Sequence, residues 1–492
     1  MRGRIKKNHI AIVLACIVWY CIYLLLYKLW VQSLWIDEWY SSYVSKYMAL
    51  EWLHKSNYFL FEWLQVLFFK IWWFSDFWAR FPSIIVHIGS ILLMYFIPYK
   101  LYKNKYVWLF SALILGLLHW EIGRWRDARF YSLLQFLFLW WISTIIQWIE
   151  TKRTIYLNCT IILTCLWVVF HPFLYVLWAI LFFAIIQQYK KARDFKSIFS
   201  KKFLSTWILI WILLIVAIFF GSIWDMLSWS LFWDKPDSYI KLYFKQYNRH
   251  LRDQLWIVYI IWLLWMIWSI VKVIRKKEWK PLFLFFCPFI LFAYALVIKW
   301  HLLHYRYALL LFPIIILNAT VFVFDMAKLI QNKYINIIVV CGMIVCIGFS
   351  AKMQYLPTAY YFFDYTSPQP DFKSAYESIP DWQNVISGFP TLCDWYYSDR
   401  WNCVNAIRVD LVHDWKTEKL LKKTAESYTK IPYIDDIDSL WQWTYFFVID
   451  NLTSKSSNIN KILYWQIRQY WINVFDNWKN YNNIKVFRLD IK

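Results

Sequence analysis

Two short stretches carry side chains that could do chemistry. The first, 33-SLWIDEWYSSY-43, sets Asp37 beside Glu38 directly after a long apolar run. A carboxylate at the end of a membrane-length apolar segment is costly and ordinarily faces a cavity, a partner or water. The second, 119-HWEIGRWRDARFYSLL-134, places Arg124, Arg126 and Arg129 around Asp127, with Glu121 just before them. Guanidinium forks grip carboxylates and phosphates through paired hydrogen bonds. Carboxylates facing arginines at a membrane surface suit the transfer of a group off a lipid phosphate. A carboxylate takes the proton of an acceptor hydroxyl while fixed cations stabilise the departing phosphate. The plainer readings stay open: an acidic pair at the head-group level, and an Arg–Asp network that packs its own loop. A third stretch, 299-KWHLLHYRYALLLFP-313, adds Lys299, His301, His304 and Arg306, and His171 sits in 168-VVFHPFLYV-176. A lone histidine of this kind is first a satisfied structural group and only then a ligand or base.

Membrane helices must hold these stretches. The chain has 492 residues, 61% hydrophobic and only 17% charged. Apolar segments fall at roughly 9–30, 83–98, 106–120, 131–148, 155–170, 172–188, 203–222, 256–274, 281–298, 307–325 and 334–352, eleven in all, each long enough to span a bilayer or nearly so. The fold class expected is an all-α polytopic membrane protein of about eleven spans, residues 1–352, with a small α/β domain at 353–492. With the N-terminus inside, the short inside loops and the N-terminus hold 22 Lys and Arg, against 5 in the short outside loops 119–130 and 299–306. The positive-inside rule therefore puts the N-terminus in the cytoplasm and residues 31–82, 223–255 and everything after 353 outside. The first span is too long for a cleaved signal and reads as a retained anchor. The net charge of +22 lies in these loop clusters, which topology explains without a nucleic-acid partner.

The composition carries an anomaly. There are 37 tryptophans and 8 glycines, where ordinary usage near 7% would give roughly 34 glycines. Trp stands where turns want Gly: Asp381-Trp382, Asp394-Trp395, Asn477-Trp478 and Lys277-Glu278-Trp279-Lys280. Aromatic belts explain Trp at span ends but not in polar turns. The expectation is a gene whose UGA codons the living source reads as glycine and the written translation renders as tryptophan.

The order of these motifs resembles the GT-C glycosyltransferases, in the branch of protein mannosyltransferases and aminoarabinose transferases. Leu34-Trp35-Ile36-Asp37-Glu38 after the first span is similar to the Asp-Glu motif of that family's first external loop. In 67-LFFKIWWFSDFWARFPSIIVHIGS-90, Arg80, Pro82 and Ser83 match the family's "G-x-S-x-x-x-x-R-x-P-S", with Trp73 where the family has Gly. Arg126-Asp127-Ala128-Arg129-Phe130-Tyr131 is similar to "R-x-A-R-x-Y", and His171, Arg306-Tyr307 and Pro313 follow more loosely. The resemblance implies an inverting transfer of a sugar from a polyprenyl-phosphate donor to an acceptor hydroxyl, at the outer face of the cytoplasmic membrane. It makes Asp37 the base and Glu38 its orienting partner. Arg126, Arg129, Tyr131 and Arg306 would hold the lipid phosphate, with Arg80, Glu121, Asp127 and His171 as further candidates. Family members differ in metal use, so a divalent metal at the acid pair is left open, as is an acceptor that is glycan, lipid or protein.

Outside the spans, 58-YFLFEWLQVLFFKIWWF-74 has the pattern of a helix lying on the membrane surface. After 353, helix-like runs at 371–379, 417–430 and 459–471 alternate with strand-like runs at 384–389, 444–450 and 484–490. Seven of the nine cysteines fall in spans, leaving Cys393 and Cys403 as a pair that could form a disulfide. The domain they share could bind an acceptor or be purely structural. A transporter or flippase of lipid-linked saccharides, or a membrane scaffold, are the alternatives. The first is disfavoured by how few charges lie within the spans and by the lack of evident inverted repeats.

Overall fold

The structure, a computed structural model, describes residues 2–30, 34, 38, 41–42, 45, 59–72, 74–102, 105–170, 248–276, 310–330, 333–350, 352–358, 371–387, 390–396, 402–405, 412–414, 419–421, 444–450, 479–481 and 484–490. Asp37, His171, Arg306 and the apolar segments 172–188, 203–222 and 281–298 lie outside these.

Among the described residues the membrane portion is built from α1 (Arg2–Leu26), α2 (Phe59–Ile71), α3 (Asp76–Tyr102), α4 (Lys105–Leu117), α5 (His119–Trp125), α6 (Tyr131–Thr151), α7 (Thr154–Phe170), α8 (Ile257–Lys276), α9 (Phe312–Ala327) and α10 (Lys333–Ser350). Among the described residues, three stretches are long and apolar enough to cross a membrane unaided: His9–Leu26, Asp76–Ile97 and Tyr131–Thr151. A fourth is bent by 113° between Asn248–Leu255 and Ile257–Lys272. One buried cluster joins α1, α3, α4, α6, α7, α8 and α9, with Trp125, Trp141, Phe130 and Phe312 among its largest members. Two glycines make room for a side chain of a neighbouring helix. A Cβ on Gly89 of α3 would stand 2.6 Å from the Phe136 ring of α6, and one on Gly116 of α4 would stand 2.4 Å from Cys21 Sγ of α1. Such small-residue crossings let membrane helices approach closely enough for dispersion to bind them.

The helix carrying 83–98 begins at Asp76, two turns before the apolar run does. Hydropathy marks only the apolar part, whereas Asp76 and Arg80 are 4% and 1% exposed and have charged partners inside the fold.

After α10 the chain returns across the ends of α4 and α5. His119 N–H donates to the Lys352 carbonyl (2.8 Å) and Gln354 N–H to that of Leu117 (2.7 Å), and His119 Nδ1 lies 2.7 Å from Gln354 Oε1. The C-terminal part contains α11 (Phe372–Glu377), capped by the Asp371 side chain on Ser374 N–H, and α12 (Pro390–Tyr396). Its strands are β1 (Asn384–Ser387), β2 (Cys403–Asn405), β3 (Val412–Asp414), β4 (Lys419–Leu421), β5 (Thr444–Asp450), β6 (Lys479–Tyr481) and β7 (Ile484–Asp490). Five of them form a mixed sheet in the order β2-β1-β5-β7-β6, parallel at its first two pairings and antiparallel at the others. β3 and β4 form a separate antiparallel pair. The helix expected at 417–430 therefore opens as a strand, because Leu420 and Leu421 pair with β3 and cross-strand hydrogen bonds override a local helical pattern. Its remainder and the 459–471 run lie outside the described residues. Cys393 on α12 and Cys403 on β2 are joined by a disulfide.

Among the described residues, four that are not glycine have positive φ: Lys28, Lys152, Trp256 and Trp382. Trp382, at φ 66°, is the third residue of a turn closed from Gln383 N–H to the Pro380 carbonyl, and it is 77% exposed. That turn position favours glycine, and nothing packs on the indole to compensate a bulky residue there. Codons 256 and 382 are expected to be UGA and the mature peptide to carry glycine at 382. Sequencing the gene and mass-measuring the peptide check this, and UGG at both positions refutes it.

Candidate functional site

The site is built where the end of α1, the start of α3 and the α5–α6 turn meet. α1 stops at Leu26, and Lys28 turns left-handed at φ 47°. The last carbonyls of a helix have no partner in their own helix and need donors from elsewhere. Two arginines supply them. Arg126 Nη1 donates to the carbonyls of Leu24 (3.2 Å), Leu25 (3.1 Å) and Tyr27 (2.8 Å), and Arg80 Nη1 to that of Leu29 (3.2 Å). Cations at this end also match the negative pole of the helix dipole.

Arg80 also grips Glu38. Its Nε donates to Oε1 and its Nη2 to Oε2, both at 2.9 Å, and both residues are 1% exposed. Ala128 N–H adds a third bond to Glu38 Oε1 at 2.7 Å. A buried carboxylate is tolerable only when it is paired and hydrogen-bonded in this way. Glu38 is therefore a fixed anion that ties its segment both to α3 and to the α5–α6 turn.

That turn is itself rigid. Ser83 Oγ donates to the carbonyls of Asp127 (2.8 Å) and Arg129 (3.2 Å), and Arg124 Nη1 pairs with Asp127 Oδ2 at 3.2 Å. The Tyr131 ring lies under both the Arg124 and Arg129 guanidinium groups, at 5.9 and 5.7 Å, a cation–π arrangement. Arg129 Nη1 reaches Ser41 Oγ at 3.2 Å, and Arg129 is the half-buried one of the three loop arginines, Arg124 and Arg126 being buried.

Glu38, Ser41, Ser42 and Ser45 are helical and buried, at the spacing of one helix face. Ser45 Oγ donates to Gln65 Oε1 on α2 (2.9 Å), while Gln65 Nε2 donates to the Ala79 carbonyl (2.9 Å) and Ser42 Oγ (3.3 Å). The sequence reading passed over this serine face and Gln65. The i, i+3, i+4, i+7 spacing of the polar residues from Glu38 to Ser45 was the available signal, as was Asp76–Arg80–Ser83 at the head of an apolar helix.

Glu121 stands in a pair of its own with Gln135, whose Nε2 lies 3.2 Å from both carboxylate oxygens. Burial holds its carboxyl well above the usual carboxylate range. A carboxyl whose folded pKa is raised binds its proton more tightly in the folded chain, so stability falls as pH rises from the ordinary carboxylate pKa toward the raised one. Glu121→Gln keeps the shape without an ionisable group. It is expected to raise the melting temperature at neutral pH and to flatten this decline, as read by thermal unfolding over a pH series. A lower melting temperature at neutral pH would contradict a carboxyl held above its usual range by burial. Among the described residues no three His, Cys, Asp or Glu side chains gather as a metal-binding group.

No protein-family model matches the sequence, and no curated protein does. Solved structures match in fold. ArnT from Cupriavidus metallidurans in the apo state superposes with a TM-score of 0.55 at 10% identity, over 99% of this chain and 98% of that one. The same protein bound to undecaprenyl phosphate gives 0.53 at 9% identity, over 96% and 97%. At this level of identity the likeness is one of fold, shared with ArnT over nearly the full length of both chains.

Proposed function

We propose that this GT-C-fold chain is an integral membrane glycosyltransferase that moves a sugar from a polyprenyl-phosphate donor to an acceptor hydroxyl at the outer face of the cytoplasmic membrane. The observation that carries the reading is the lock on Glu38: Arg80 and Ala128 N–H hold the segment bearing the acid pair against the arginine-rich turn. The likeness to a protein captured with undecaprenyl phosphate supports the donor class. The lysines and arginines of the loops support an N-terminus in the cytoplasm and a C-terminal domain, residues 353–492, outside.

In this reading Asp37 takes the proton of the acceptor hydroxyl as its oxygen attacks the anomeric carbon. The bond from that carbon to the phosphate oxygen breaks with its electron pair going to the phosphate, and the centre inverts. Arg129 and Arg306 receive the growing phosphate charge. Glu38 orients the acid segment through Arg80. Arg126 binds the carbonyls of α1 through Nη1 and so fixes the turn from which it would also help hold the phosphate.

The test is reconstitution of the purified chain with undecaprenyl-phosphate-linked sugars and lipid, glycan or peptide acceptors, following release of undecaprenyl phosphate. Turnover with one donor class supports the reading. Absence of turnover with every donor, alongside movement of the intact lipid across the bilayer, would favour a flippase.

A further inference from the structure

The acid segment is held from a second side, by the C-terminal domain. The Tyr396 hydroxyl accepts the Leu34 N–H at 2.6 Å and donates to Asp76 Oδ1 at 3.2 Å. Lys373 Nζ lies 3.6 Å from Asp76 Oδ2 and donates to the Trp30 carbonyl at 3.3 Å. Asp76 opens α3, and Arg80, which grips Glu38, is one turn further along the same helix. Two charges on adjacent turns of α3 thus fix the acid segment, Arg80 at its far end directly and Asp76 at Leu34 through Tyr396. Apolar packing follows the same route: Leu34 and Ala128 are buried in one cluster with Phe372, Tyr376, Cys393, Cys403 and Val448 of the C-terminal domain.

Tyr396 is set by what surrounds it. It ends α12, three residues after Cys393, and the disulfide to Cys403 ties that helix to β2. Burial, and then the Asp76 carboxylate, hold its phenol well above the usual range, so it remains a proton donor at neutral pH. Trp395 Nε1 also reaches Asp76 Oδ1 at 3.2 Å. Trp395 belongs to one of the Asp-Trp pairs where glycine is expected, and the anchor stands on Tyr396 and Lys373 without it.

We propose that Tyr396 is a positioning residue of the transfer reaction: with Asp76 and Lys373 it makes the C-terminal domain the second clamp on the segment that carries Asp37 and Glu38. This rests on the transferase reading above. Asp37 is three positions beyond the anchored Leu34, so loosening that anchor alters the approach of the acid to the acceptor more than the grip on the donor. Displacement of a catalytic group by about 1 Å can cost on the order of a hundredfold in rate.

Tyr396→Phe keeps the ring and removes only the hydroxyl. It is expected to lower kcat by roughly ten- to a hundredfold with the KM for the polyprenyl-phosphate donor unchanged. Hydrogen exchange at the Leu34 amide should quicken in the same protein, and this readout needs no turnover. A kcat within twofold of wild type, a change confined to KM, or an unaltered Leu34 amide each overturns the proposal while leaving the transferase reading in place. A wild-type chain without turnover on any donor overturns that reading, and the positioning role with it.

Discussion

Asp37→Asn is expected to reduce release of polyprenyl phosphate to background, with the variant as stable as wild type. Glu38 has both oxygens in the Arg80 fork and accepts a backbone N–H as well, at 1% exposure. A carboxylate engaged on both oxygens and buried has no face to offer a substrate. If one of the adjacent acids deprotonates the acceptor, the task falls to Asp37. Residues adjacent on a helix point about 100° apart, so Asp37 need not share the direction of Glu38. General-base catalysis contributes about 10²–10⁴ in rate, and an amide of the same shape loses all of it. The measurement is the initial rate of release from a lipid-phosphate sugar, with thermal unfolding as the control for folding. Equal rates in the two proteins would sink the assignment of the base.

The second large effect concerns stability. Arg80→Ala would strand a buried carboxylate and leave the Leu29 carbonyl at the end of α1 without its side-chain donor. Breaking a buried ion pair from one side costs about 3–5 kcal/mol, because the remaining charge is uncompensated. The variant is expected to unfold at markedly lower temperature or denaturant than wild type. The pair Arg80→Leu with Glu38→Leu removes both charges and should recover most of the stability, since apolar substitution of a whole buried pair is often close to neutral. Arg80→Lys should fall between them, because an ammonium group lacks the fork that meets both oxygens at 2.9 Å. If Arg80→Ala unfolds like wild type, or the double variant unfolds no later than the single, the lock is not what holds this part of the fold.

Much of the architecture was legible beforehand because bilayer spanning is a local property. A run of apolar residues carries the free energy of insertion by itself, and the segments at 9–30, 83–98, 106–120, 131–148 and 155–170 coincide with α1, α3, α4, α6 and α7 to within a few residues, apart from the early starts of α1 and α3. The strand-like runs near 384, 444 and 484 were equally local in origin and coincide with β1, β5 and β7. The helical pattern at 417–430 was misleading because strand pairing depends on a partner elsewhere in the chain.

The sequence by itself determined that this chain is built of membrane helices, that two adjacent acids follow the first of them, and that an arginine-rich turn precedes α6. Its 37 tryptophans and 8 glycines also raised the expectation that tryptophan stands for glycine at turns, an expectation the left-handed backbone at Trp382 supports from an independent direction. Only the tertiary structure decided how the charges are shared out. It gave Glu38 to Arg80 across 42 positions, the Arg126 guanidinium to the carbonyls of α1 across about a hundred, and Leu34 to Tyr396 across 362. Hydropathy is a sum over neighbours and can be read along a line. A hydrogen bond to a buried charge depends on which distant donor the packing brings within 3 Å, and no pattern along the chain encodes that distance.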